Sequence, residues 1–138
     1  MNTRIGKDVM HTHNTTILLV DDEPEVLSAI EGMLEGSGYQ LISKSDARSA
    51  LSFLVQENEI IDLIITDFQM PGLDGLEFID TLRKIQPTIP VIIFTGYGML
   101  KRQEIPEHII FVQKPVVSKE LRAIILTALT IKKHNASS

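Results

Sequence analysis

The chain has 138 residues, 43% of them hydrophobic and 22% charged, which suits one globular domain. Its formal net charge of −5 argues against direct nucleic-acid binding, which needs a basic face. Cysteine is absent, which excludes disulfides and thiolate metal sites and fits a cytoplasmic protein, and no apolar run approaches the roughly 20 residues that span a bilayer.

Residues 1–15 are polar, mixed and without periodicity. They lack the apolar core of a signal peptide and read as a disordered leader. His11 and His13 within it read as solvated side chains rather than metal ligands. Strand one is Ile17–Val20. Pro24 opens a helix at a first-turn position, with Val26, Ile30 and Met33 on one face flanked by Leu27 and Leu34. Gly36-Ser37-Gly38 ends it. Gln40–Lys44 is a weaker second strand. Asp46 is placed to cap a second helix whose inner face is Ala47, Ala50, Leu51, Leu54 and Val55. Ile61–Thr66 is the third strand. Asp74, with Glu77 three residues on, resembles a capping box for a third helix that turns Phe78, Leu82 and Ile85 inward. Pro90–Phe94 gives strand four and Ile109–Gln113 strand five. Between them, Gly96, Gly98 and Pro106 leave room for at most a short or irregular fourth helix. The last helix carries Leu121, Ile124, Ile125, Ala128 and Leu129 at helical spacing, and a polar tail runs over 132–138. Short β-branched runs joined by helices predict a parallel sheet covered on both faces.

The chemistry-bearing residues stand where these strands end. Asp21 and Asp22 follow the first run, and Asp67 closes the third. Ligands of open α/β sheets bind at that edge, so three carboxylates are expected at one rim. Like charges held together are costly unless a cation or a proton joins them. An isolated Asp22 would read as a cap for the Pro24 helix. Asp62 reads as a loop end, Glu23 as a solvated carboxylate, and Thr95 or Lys114 alone as ordinary strand-end residues.

Together, Asp21-Asp22, Asp67, Thr95 and Lys114-Pro115, in order at successive strand ends, resemble the receiver domain of two-component response regulators. Met70-Pro71 and Asp74-Gly75 strengthen the likeness, which covers roughly 16–131. The resemblance implies a flavodoxin-like, doubly wound five-stranded parallel sheet of order 2-1-3-4-5. It implies a phosphoryl group accepted on Asp67 from a sensor histidine kinase or histidine phosphotransfer protein. Mg²⁺ would be held by Asp22, Asp67 and the Gln69 carbonyl, with Asp21 acting through water. Lys114 would meet a phosphoryl oxygen and the Thr95 hydroxyl would hydrogen-bond it. Phe111 takes the position of the aromatic residue that turns into the space Thr95 vacates, and Lys114-Pro115 is typically cis. Such a domain contributes to its own phosphorylation and dephosphorylation but is chiefly a switch for a downstream protein, not a conventional enzyme. Gln69 and Tyr97, both bulky, stand where the family controls water access to the acyl phosphate. Lys114 comes nineteen positions after Thr95, a short interval that lacks an alanine-rich helix and has Glu104-Ile105-Pro106 before strand five, which resembles stand-alone receivers or those of hybrid sensor kinases.

Three other readings are open to such a chain. An aspartyl phosphohydrolase of the haloacid-dehalogenase type needs a second Asp two positions after the first, where Gln69 cannot do acid–base work. A dinucleotide fold would need Gly-x-Gly-x-x-Gly after strand one, where acidic residues stand instead. The remaining alternative is a receiver-like interaction module that does not turn over phosphate.

Overall fold

The computed structural model describes residues 15–56, 60–70, 75–95 and 108–137, with side chains at 75–76 and 132–137 left aside. In chain order the elements are β1 Thr16–Val20, α1 Pro24–Met33, β2 Gln40–Lys44, α2 Ala47–Gln56, β3 Leu63–Asp67, α3 Gly75–Ile85, β4 Val91–Thr95, β5 Ile109–Gln113 and α4 Ser118–Ser137. The strands form one five-stranded sheet in the order β2-β1-β3-β4-β5, and every pairing is parallel. The leader, the Pro71–Asp74 loop with its expected cap, and the short fourth helix expected between β4 and β5 all lie outside the described residues.

Alternation along each strand sends neighbouring side chains to opposite faces. Leu18, Val20, Ile64, Val91 and Ile93 join Ala47, Ala50 and Leu54 of α2 and Phe78, Ile79 and Leu82 of α3 in one core. Ile17, Leu19, Leu63, Ile65, Ile92, Phe94 and Val112 join Ile30 of α1, Leu34, and Leu121, Ile125 and Ala128 of α4 in the other. Two-sided coverage is why the central strands read as continuous apolar runs. Each fully buried Leu or Ile contributes about 1.5–3 kcal/mol.

Local details confirm some expectations and shift others. As the acid cluster requires, Asp22 is not the cap of α1: Glu23 holds the N-cap position, without a side-chain cap bond. The Asp21 carboxylate is turned that way instead, its Oδ1 accepting from the Glu23 amide at 2.9 Å. Asp46 does cap α2, accepting from the Ser49 amide at 2.7 Å. Val55 is exposed (65%), because it lies about 100° around α2 from Leu54 and so leaves the apolar stripe. Asp62 accepts from the Thr16 amide at 2.9 Å and so ties the start of β1. The last helix continues to Ser137, past Lys132 where the polar tail was expected. Lysine is a good helix former and does not stop it.

Two arginines close the helix connections. Arg83 Nη1 donates to the Ile89 carbonyl at 2.7 Å and the Gln86 carbonyl at 3.2 Å, fixing the turn from α3 into β4. The last turn of α1 has no basic residue of its own. Arg122 of α4 supplies one, donating to the Met33 carbonyl at 3.1 Å and the Glu35 carbonyl at 2.9 Å. It satisfies orphan carbonyls and opposes the negative end of the helix dipole.

Candidate functional site

The parallel strands present their carboxyl ends at one edge, and β1, β3, β4 and β5 each deliver a polar side chain there. The Asp21 amide donates to the Lys44 carbonyl at 3.2 Å, fastening the end of β1 to β2. Asp67 is the last residue of β3, paired with Phe94, and so lies in the strand where the sequence had ended it one residue earlier. Thr95 ends β4. Its carbonyl accepts from the Lys114 amide at 2.9 Å, which brings the residue after β5 to the same rim. The Lys114-Pro115 bond is cis.

Asp21, Asp22 and Asp67 gather with one carboxylate oxygen from each lying within 4.8 Å of the others. Asp21 is buried (2% exposed), whereas Asp22 is exposed. Lys114 Nζ lies 3.2 Å from Asp67 Oδ1, with Asp67 the less exposed of the two. Burial pushes the Asp21 carboxyl above its ordinary range, and the Asp67 and Asp22 charges add to this. The Glu23 amide and Lys114 pull against it. One lysine among three carboxylates leaves excess negative charge in a partly desolvated place. An all-oxygen donor set with that deficit fits a hard divalent cation such as Mg²⁺.

Thr95 is buried beside this cluster, at 2% exposure. Gln69 is exposed, one residue before buried Met70. Phe111 is half-buried and packs on the α2–α3 side of the sheet. Tyr97 lies outside the described residues. Phe68, which no motif singles out, stands with its ring edge-on to Phe111, centroids 6.5 Å apart. Its signal was available: Phe68 is one step past Asp67, and the same step past Phe94 is Thr95.

The profile of the response regulator receiver domain family matches residues 17–126. The chain is 33% identical over 102 residues to the transcriptional regulatory protein GlrR of Escherichia coli K12, covering 74% of this chain and 21% of that protein. It is also 33% identical over 87 residues to sporulation initiation phosphotransferase F of Bacillus subtilis, covering 63% of this chain and 68% of that one. A response regulator receiver domain protein from Clostridium thermocellum superposes with a TM-score of 0.78 at 33% identity, covering 86% of this chain and 97% of that chain. The receiver domain of the hybrid histidine kinase CckA gives 0.70 at 31% identity, over 83% and 98%. The chain spans about a fifth of the length of several longer regulators it matches. Among the described residues, no helix is long and apolar enough to cross a membrane.

Proposed function

This chain belongs to the response regulator receiver domain family of two-component signalling, and on that premise we propose that Asp67 is its phosphoacceptor. The reading places the receiver at 16–131, in the cytoplasm. The observation that carries it is the meeting of Asp21, Asp22 and Asp67 within 4.8 Å, with Lys114 3.2 Å from Asp67.

An Asp67 carboxylate oxygen attacks the phosphorus of a phosphohistidine on a sensor kinase or phosphotransfer protein. The new P–O bond forms as the P–N bond breaks, and the electron pair leaves with the imidazole nitrogen. Asp22, Asp67 and the Gln69 carbonyl would hold Mg²⁺, with Asp21 beside them. Bound there, the ion would neutralise charge on the carboxylates and on the incoming phosphoryl group. Lys114 exchanges its pairing with Asp67 for a phosphoryl oxygen, and the Thr95 hydroxyl donates to another. Because the transferring group is loose and charge-spread, positioning and electrostatics carry most of the acceleration. Thr95 and Phe111 then move together and alter the surface presented to a downstream protein. The net charge of −5 favours protein over nucleic acid as the direct partner of these residues.

Intact mass after incubation with acetyl phosphate and Mg²⁺ tests the reading. One added phosphoryl group is expected on the wild type and none on Asp67→Asn. An unmodified wild type would favour an interaction module without phosphate turnover.

A further inference from the structure

Phe68 follows Asp67 directly, and its ring meets Phe111 edge-on, with planes at 61°. The strand register fixes where that contact sits. Asp67 pairs with Phe94, and the Phe68 amide extends the ladder by donating to the Phe94 carbonyl at 2.9 Å. One step beyond that pair, Phe68 therefore stands beside Thr95. Phe111 pairs with Ile93, two positions before Thr95 and on the same sheet face. β3 and β5 flank β4. The two rings thus meet across the strand that carries Thr95, and both pack against the α2–α3 core.

Burial distinguishes the members of this group. Thr95 is buried, while Phe68 and Phe111 are half-buried. An aromatic ring that had turned into the space beside Thr95 would be covered. The observed contact therefore belongs to the arrangement before that turn.

We infer that Phe68 is a positioning residue of the switch: its ring holds Phe111 in the half-buried orientation, and Phe111 gives up this contact when it turns inward. The inference rests on the reading of Asp67 as phosphoacceptor and Phe111 as switch residue. It adds a route from acceptor to switch through the residue next to Asp67, alongside the one through the Thr95 hydroxyl. An edge-on aromatic pair biases a two-state equilibrium by about 2- to 12-fold. Removing the ring takes that bias from one state only, so the inward state gains.

The test uses the full chain with Mg²⁺ and beryllofluoride as the phosphoryl mimic. Half-saturation is read by thermal shift, and the Phe111 ring is followed by NMR. Phe68→Leu is expected to half-saturate at about fivefold lower beryllofluoride than wild type. Its Phe111 signals, without beryllofluoride, move toward those of the saturated wild type. Phe68→Tyr keeps the ring and behaves as wild type. In a Phe111→Leu background, Phe68→Leu leaves half-saturation unchanged. If Phe68→Leu lowers the melting temperature but leaves half-saturation and the Phe111 signals at wild-type values, the ring is core filling and the inference is overturned. If wild type takes no phosphate from acetyl phosphate and ignores beryllofluoride, the reading of Asp67 falls and this inference falls with it.

Discussion

Replacing Asp21 with Asn removes one charge from the acid cluster while keeping the Oδ1 acceptor that the Glu23 amide uses. Two carboxylate charges at the 4.8 Å limit of this cluster repel by about 3.5 kcal/mol at an effective dielectric of ~20. Asp21 faces two such neighbours. Attraction to Lys114, and solvent around exposed Asp22 and partly exposed Asp67, offset most of this repulsion. A net gain of about 1 kcal/mol is expected for the metal-free variant, or ~3–5 °C in a chain of this size. With Mg²⁺ the order reverses in sensitivity. At ten times its dissociation constant the ion stabilises wild type by about 1.4 kcal/mol, or ~4–7 °C, and the variant by less than half as much. The pH dependence has a definite sign. A raised carboxyl contributes stability that is complete below its ordinary value of 3.8 and lost as pH rises through its raised native value. The gap between variant and wild type therefore opens as pH climbs through that window and closes on acidification. Thermal melts in EDTA and in graded MgCl₂, followed by circular dichroism, measure all three quantities. A variant that is no more stable than wild type in EDTA, with an unchanged Mg²⁺ response, would refute the electrostatic reasoning.

Further outcomes follow from the same geometry. Lys114→Ala removes the 3.2 Å ion pair with Asp67 but should alter stability by less than about 1 kcal/mol, since the lysine is 35% exposed. Its phosphorylation by acetyl phosphate should slow by about 10²-fold, the usual size for one lost transition-state charge partner, and a wild-type rate would remove Lys114 from the site. Gln69→Ala and Tyr97→Ala should each shorten the life of the acyl phosphate several-fold by admitting water; equal decay of phosphate label in wild type and variants would show that neither side chain guards it. Ile92→Ala opens a void at a position with no exposure in the second core. Urea unfolding should register a loss of about 2–5 kcal/mol, and less than 1 would mean that the two-sided packing is looser than described.

Much of the fold was legible in the letters because the central strands are buried on both faces. Runs such as Thr16–Val20 and Val91–Thr95 have few other homes, and the acids at their ends fall at one rim once the strands are parallel. The helical faces were legible from spacing, with Leu121, Ile125 and Ala128 fully buried as their period requires. What failed depended on distance in space. Val55 fits an apolar stripe by type, yet its angle around α2 turns it outward. The Asp67–Lys114 approach joins residues far apart in sequence, and composition says nothing about its length. The Phe68–Phe111 contact needs the register of three strands, which no single run of residues encodes.

The most direct measurement is chemical mapping of the phosphorylated residue. Borohydride reduces an aspartyl phosphate to homoserine, and peptide mass spectrometry then locates the altered side chain. After treatment with acetyl phosphate and Mg²⁺, homoserine is expected at position 67, with none formed when Mg²⁺ is chelated. Homoserine at another aspartate, or at none while the intact protein carries phosphate, would contradict the assignment of Asp67.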